Sequence, residues 1–256
     1  LAIVGAGRLG TELAAALRNA SLALPAGPWR VTGPHGRGYA GAGDSAVLLC
    51  VPDREISSAA ALISPGPLVG HCSGACRLDV LDPHEAFSLH PLMTVVPGRT
   101  IFADAGAAVA GSSMRALTFA SRLAQCLQMR PTAISEDERA TYHAAASIAS
   151  NFLITLETAA ERLAASADIK RELLGPLVRA TVENWIEVGG ERALTGPVAR
   201  GDNDTVTAQR AAVAEKAPDL LPLFDALTEA TRALASAHSE PDPAKTKSPP
   251  PQRAAA

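Results

Sequence analysis

The sequence predicts an α/β domain built on a doubly wound, mostly parallel sheet, followed by an all-α domain. Three observations carry this expectation. Short apolar runs alternate with helical patterns from residue 1 to about residue 131. A glycine-rich turn, Gly5-Ala6-Gly7-Arg8-Leu9-Gly10, follows the first run and opens the first helical pattern. After Pro131 the β-branched runs stop and alanine-rich helical sequence takes over. Strand–helix alternation of the first kind places parallel strands in one sheet with helices on both faces.

Taken in order, strands are expected at Leu1–Val4, Trp29–Thr32, Ala46–Val51, Leu68–His71 and Ala107–Ala110, with a further edge strand near Leu127–Arg130. Helices are expected between them at Leu9–Asn19, Arg54–Ile63 and Ser113–Gln125. Ser135 with Glu138 three residues later has the spacing of a capping box, in which each end of the pair satisfies a free N–H of the first turn. The helix it opens would run from Glu136 to about Ala165 and, being rich in Ala, Ile and Leu, would be largely buried. Further helices are expected at Ile169–Leu174, Pro176–Val188, Asn203–Ala217 and Leu220–Ala237. Pro176 suits a first helical position and Gly189-Gly190 a helix end. This divides the chain into a Rossmann-type domain over 1–131, a helical domain over 132–238 and a tail over 239–256. The tail holds Pro241, Pro243 and Pro249-Pro250-Pro251, lacks apolar periodicity and reads as disordered. A few residues are expected to precede Leu1, because Leu1–Val4 is shorter than the roughly 5–6 residues of a usual strand.

Composition narrows the function classes. The chain has 256 residues, 47% of them hydrophobic, and a net charge of −3. Without a basic excess, nothing points to nucleic acid as a partner. No apolar run reaches the ~18–20 residues of a membrane span, and the first residues lack the pattern of a signal peptide. Cys50, Cys72, Cys76 and Cys126 do not form a disulfide framework, so a cytoplasmic location is expected. His71, Cys72 and Cys76 lack a fourth ligand and the second pair of a structural zinc site, so no metal is expected.

The glycine loop has the strand-before, helix-after context that gives a G-x-G-x-x-G its meaning. Gly5 permits the tight turn, Gly7 lets the backbone approach a pyrophosphate, and Gly10 allows close helix–strand packing. With Ala6, Arg8 and Leu9 they bring the free N–H groups of a helix start to an anion. Selective binding of NAD calls for an acid about 20 residues on, to hold the ribose 2′-hydroxyl. Here no acid occurs between Glu12 and Asp44, and the second strand runs into Gly33-Pro34-His35-Gly36-Arg37. Arg37, helped by His35, is positioned to pair with a 2′-phosphate, which favours NADP. Val51-Pro52-Asp53 exits a strand at the carboxyl end of the sheet, where nucleotides sit; Asp53 is expected to cap the next helix.

These features resemble the 6-phosphogluconate dehydrogenase-like reductases, a group that includes ketopantoate reductase, pyrroline-5-carboxylate reductase and hydroxyisobutyrate dehydrogenase. The resemblance rests on the glycine loop, the Val51-Pro52-Asp53 exit and the all-helical second half. A narrower resemblance is to a bacterial family of Rossmann-like proteins with a short helical C-terminal domain. It is carried by His71-Cys72-Ser73-Gly74, Leu89-His90-Pro91-Leu92, Tyr142-His143 leading to Asn151-Phe152, and Leu194-Thr195-Gly196-Pro197 with Arg200-Gly201-Asp202. It spans nearly the whole chain except the tail. The resemblance implies reduction of a small keto or imino acid, with ketopantoate the first candidate, and a homodimer formed through the helical domain.

The same residues suggest where chemistry sits. His143, Ser147, Asn151 and Thr155 recur at four-residue intervals and so share one helix face, either as an interhelical hydrogen-bond network or as the wall of a cavity. The resemblance implies a lysine donor with an asparagine one turn later. Asn151 matches the asparagine, but Ser147 stands at the lysine position, and none of Lys170, Lys216, Lys245 and Lys247 lies on the stripe. His143 is the substitute proton donor, since histidine titrates near neutral pH, with His90 in a loop as the second candidate and Asn151 orienting the carbonyl. Ser73-Gly74 forms a turn beside the nicotinamide. Thr195 and Arg200, with Ser147, are expected to hold the substrate, Arg200 through its carboxylate, while Asp202 caps the following helix. Two other readings stay open: an NADP-binding sensor without catalysis, consistent with the missing lysine, and a deazaflavin-dependent oxidoreductase.

Overall fold

A computed structural model describes residues 1–23, 29–41 and 43–239. The tail beyond Ser239 lies outside the described residues. Contacts divide the chain into two units, Leu1–Phe152 and Leu153 onward.

The first unit holds a seven-stranded sheet of β1 (Ala2–Val4), β2 (Thr32–His35), β3 (Ala46–Leu49), β4 (Leu68–His71), β5 (Ala86–Leu92), β6 (Gly106–Gly111) and β7 (Arg130–Ala133). Their spatial order is β2-β1-β3-β4-β5-β6-β7. The first five are mutually parallel, β6 runs antiparallel to β5, and β7 is parallel to β6. This is the doubly wound sheet expected, with its switch point between β1 and β3.

Alternation along β1 shows how both faces are covered. Ile3 joins Leu13, Leu17, Leu48 and Phe87 in one core, beneath α1 (Arg8–Ala23). Ala2 and Val4 join Val47, Leu49 and Ile56 in the other, beneath α2 (Ile56–Ala60). The helix α3 (Met114–Cys126) closes the first face, and its N-cap Ser113 accepts the Ala116 N–H at 3.1 Å.

Several expectations are corrected. The second strand is Thr32–His35 rather than Trp29–Thr32, because Thr32 and His35 are the residues in register with Ala2 and Val4. β5 was not expected at all, and His90 lies in it rather than in a loop. The last strand is shifted to Arg130–Ala133 and crosses the change of composition at Pro131. The unit continues to Phe152 because the chain after β7 stays bonded to the sheet domain: Glu136 accepts the Leu78 N–H at 2.9 Å, and Arg139 reaches Ser88 at 3.0 Å.

The helix expected from Glu136 to Ala165 is not a single α-helix. α4 (Arg139–Ser147) passes through one π turn at Ile148–Phe152 into α5 (Leu153–Ala165). The expected capping box is only half made: Ser135 accepts the Glu138 N–H at 3.3 Å, but its hydroxyl rather than its backbone N–H donates to the Glu138 carboxylate, at 2.9 Å, and the pair closes the turn before α4, whose N-cap is Glu138. Nor is this stretch largely buried: Arg139 is the buried residue of α4, α5 has none, and Ile148 and Phe152 are exposed.

The second unit contains α5, α6 (Arg171–Val188), α7 (Gly190–Ala193), α8 (Asn203–Lys216) and α9 (Leu221–Ser239). Pro176 sits inside α6 instead of at its first position, since the helix starts one turn earlier. Gly189 ends α6 at φ 78°, and Asp202 caps α8 by accepting the Thr205 N–H at 3.1 Å. Arg210 grips Asp225 with two bonds of 2.8 Å. Ile154, Leu173, Leu177, Trp185 and Ile186 are all exposed. Among the described residues, no helix is long and apolar enough to cross a membrane.

Candidate active site

Two clefts open at the carboxyl ends of the parallel strands of the first unit. The first, about 590 Å³, lies over the switch point and is lined by Gly5, Ala6, Gly7, Arg37, Tyr39, Cys50, Val51, Pro52 and Glu55, among others. Its floor shows why the glycines stand where they do. Gly5 has φ +108°, and a Cβ there would lie 2.3 Å from the Cys50 carbonyl oxygen. A Cβ on Gly10 would lie 2.0 Å from the Gly5 oxygen, so the helix could not approach the strand so closely. A Cβ on Gly7 would meet nothing within 4 Å. Gly5 and Gly10 are therefore dictated by packing, whereas Gly7 faces the open cleft where a ligand would lie. Arg8 is exposed at the start of α1, and Leu9 packs against the core.

Arg37 reaches this cleft, but it is not alone. Its Nη2 donates to both carboxylate oxygens of Glu55, at 3.2 and 3.4 Å. His35 lies instead against Tyr39, stacked at 3.9 Å, with Nε2 at 3.0 Å from the Thr32 hydroxyl. Asp53 does not cap a helix: it lies in a 3-10 turn and accepts the Ser73 hydroxyl at 2.8 Å. Ser73 Oγ accepts in turn from the Ala75 and Cys76 N–H groups, so Ser73 builds the turn and is itself buried. His71 is fully buried, with Nδ1 accepting the Ser73 N–H at 3.2 Å and Nε2 at 3.4 Å from the Arg77 carbonyl. Burial, with the nearby Arg139 charge, lowers its pKa to about 4. Among the described residues, no three His, Cys, Asp or Glu side chains gather as a metal site.

The second cleft, about 540 Å³, is walled by His90, Pro91 and Met93 from β5 and the segment after it. Its other wall is Tyr142, His143, Ser147 and Asn151 from α4 and the π turn. The structure thus brings together both candidate donors, His90 and His143, and three members of the predicted stripe, His143, Ser147 and Asn151; Thr155 belongs to α5, and Thr195 and Arg200 lie in the second unit. Tyr142 Oη is 2.7 Å from His90 Nδ1, with the rings edge to face at 5.6 Å. The His90 and His143 rings are 6.1 Å apart. Gly74 lies against both: a Cβ there would be 2.7 Å from His143 Cδ2 and 3.0 Å from His90 Nε2. Burial, with the charges of His143 and Arg139, brings the His90 pKa down to about 4.

Behind this cluster stands Arg139, only 1% exposed. It donates to Ser88 at 3.0 Å and to Glu136 at 2.6 Å, while its Nη1 is buried with no hydrogen-bond partner. Burial raises the Tyr142 pKa and the Arg139 charge opposes that rise.

Sequence reasoning gave no chemical role to Tyr142, Arg139 or Glu55. Tyr142 was legible as the neighbour of His143, and Arg139 by extending the four-residue stripe one turn back. Glu55 carried no signal, because only the fold brings it to Arg37.

Residues 106–231 match the model of a domain of unknown function, DUF2520. The match begins at β6, covers His143, Asn151 and Arg200, and leaves out the glycine loop and His90. No curated protein matches the chain. Among solved structures, a Thermotoga maritima protein is similar over 93% of this chain and 99% of its own, with 22% identity and a TM-score of 0.76. A Bacteroides fragilis protein, named as a candidate NADP oxidoreductase, covers 91% of this chain and 97% of its own at 19% identity and a TM-score of 0.73. A reductive aminase from Aspergillus terreus, crystallised with NADPH and ethyl levulinate, covers 92% and 96% at 17% identity and a TM-score of 0.60. At these identities the likeness is one of fold: a doubly wound α/β domain followed by helices.

Proposed function

We propose that the chain is an NADP-dependent reductase of a small keto or imino acid. The observation that carries this reading is the convergence of His90 and His143 on Gly74, with Tyr142 bonded to His90, at the same end of the sheet as the glycine cradle. The likeness of fold to an enzyme crystallised with NADPH supports it.

The cradle fits a dinucleotide. Gly5, Ala6 and Gly7 with the first N–H groups of α1 would hold the pyrophosphate, Val51 and Pro52 the wall of the cleft, and Arg37 the 2′-phosphate. When bound, the reduced nicotinamide supplies a hydride to the carbonyl or imine carbon. The chain must then deliver a proton. His90, neutral near pH 7, is not that source as an imidazolium. With the Tyr142 phenol donating to Nδ1, the ring hydrogen sits on Nε2, the atom facing Gly74. Transfer of that hydrogen to the nascent alkoxide or amide is matched by transfer of the phenol proton to Nδ1. Tyrosinate, much less basic than an alkoxide, is left near the Arg139 cation. Asn151 and Ser147 line the cleft as orienting groups. The exposed Leu173, Leu177, Trp185 and Ile186 support pairing of two chains through the helical unit.

The test is a fluorescence titration with NADPH and NADH, followed by ketopantoate and a panel of cyclic imines with absorbance of the reduced cofactor as readout. Substrate-dependent oxidation is expected, and Tyr142→Phe should lower kcat by roughly 10²-fold with NADPH affinity unchanged. NADPH binding without turnover across the panel would instead favour a nucleotide sensor, the reading suggested by Ser147 at the lysine position. Failure to bind either nucleotide would send the reading to a deazaflavin, whose tail does not need Arg37.

A further inference from the structure

Arguing from sequence, the absence of an acid between Glu12 and Asp44 excludes the carboxylate that binds a ribose 2′-hydroxyl. The fold restores one from another element. The 3-10 turn Asp53–Glu55, which follows β3, carries Glu55 to the wall of the nucleotide cleft, opposite the loop after β2. The turn is held by the Glu55 N–H donating to the Pro52 carbonyl at 2.8 Å. The Glu55 side chain is 27% exposed and that of Arg37 is 90% exposed. The carboxylate is thus set in the wall, while the guanidinium that it bonds extends into solvent. Glu55 engages Nη2 of Arg37, and neither Nε nor Nη1 is used in that pair.

We infer that Glu55 is a specificity-determining residue and that the cleft accepts NAD as well as NADP. This rests on the dinucleotide reading of the cleft. The Arg37–Glu55 pair offers one group to each cofactor. A ribose 2′-hydroxyl donates to Glu55, which keeps its partner. A 2′-phosphate takes the unused edge of Arg37 and places two negative charges beside the Glu55 carboxylate, well inside a Debye length of ~8 Å. An exposed arginine gains little from being oriented by one partner, whereas like charges a few ångströms apart at a protein surface interact by about a factor of ten in binding. Repulsion therefore outweighs positioning, and Glu55 costs NADP affinity.

The experiment compares wild type, Glu55→Gln and Arg37→Gln by fluorescence titration with NADH and NADPH at constant ionic strength, with adenosine 2′,5′-bisphosphate as competitor. Wild type should bind both nucleotides. Glu55→Gln should tighten NADPH and the bisphosphate about tenfold and weaken NADH severalfold, while Arg37→Gln should weaken NADPH alone. An unchanged NADPH/NADH ratio in Glu55→Gln, or weaker NADPH binding, would overturn the selector and leave the dinucleotide site standing. Binding of neither nucleotide by wild type would overturn the site itself.

Discussion

Acidification should destabilise the first unit through His71. The ring is fully buried and its pKa lies at about 4, against an ordinary value of 6.5. In the unfolded chain it takes up a proton as pH falls through 6.5; in the folded chain it does not until about pH 4. The unfolded state therefore binds more protons across this window, and stability is lost on going from neutral pH toward pH 4. At about pH 5 the unfolded state gains a factor of roughly 30 over the folded state, or about 2 kcal/mol for this one group. His90, also lowered to about 4, acts in the same direction. The assay is urea unfolding at about pH 7.5 and about pH 5 in a Trp185→Phe background, so that Trp29, packed on Phe119, reports the first unit. His71→Asn keeps an acceptor for the Ser73 N–H but does not titrate. It should lose about 2 kcal/mol less than its parent between the two pH values. An identical loss in both proteins would refute the assignment of the acid sensitivity to His71.

The glycine loop should respond position by position. Gly10→Ala forces a methyl onto the Gly5 carbonyl and should cost roughly 3 kcal/mol or more, read as a fall in Tm. Gly7→Ala, with open space around it, should leave Tm nearly unchanged and weaken NADPH at least tenfold. Arg139→Met removes the guanidinium from Glu136 and Ser88 and should cost about 3 kcal/mol in denaturant unfolding. The same change should raise the His90 pKa in an NMR titration, since the nearby positive charge is lost.

Local patterns made most of the sheet legible. Ala46–Leu49 is a continuous apolar run, and Leu68–His71 opens with one and ends on a buried histidine; both are buried on both faces, which is how parallel central strands read. β5 escaped because it serves both core and cleft. Phe87 and Leu89 face the core, whereas Ser88 and His90 turn to Arg139 and Tyr142, and Pro91 looks like a strand breaker. The functional residues themselves erased the apolar signature. The stripe on α4 was visible as a four-residue period, but the π turn at Ile148–Phe152 leaves no mark in composition. The Arg37–Glu55 pair joins residues from separate strand exits, so only the fold could reveal it.

The bond between Asp53 and Ser73 ties the two clefts to a common wall. Pro52 lines the first cleft, Asp53 follows it in the chain, and the 2.8 Å bond leads to Ser73. Its neighbour Gly74 is the spacer between the two imidazoles. A push on Pro52 thus passes along the chain to Asp53, across one hydrogen bond to Ser73, and through the packing of Gly74 to His90. The two clefts thus share a post at the carboxyl ends of β3 and β4.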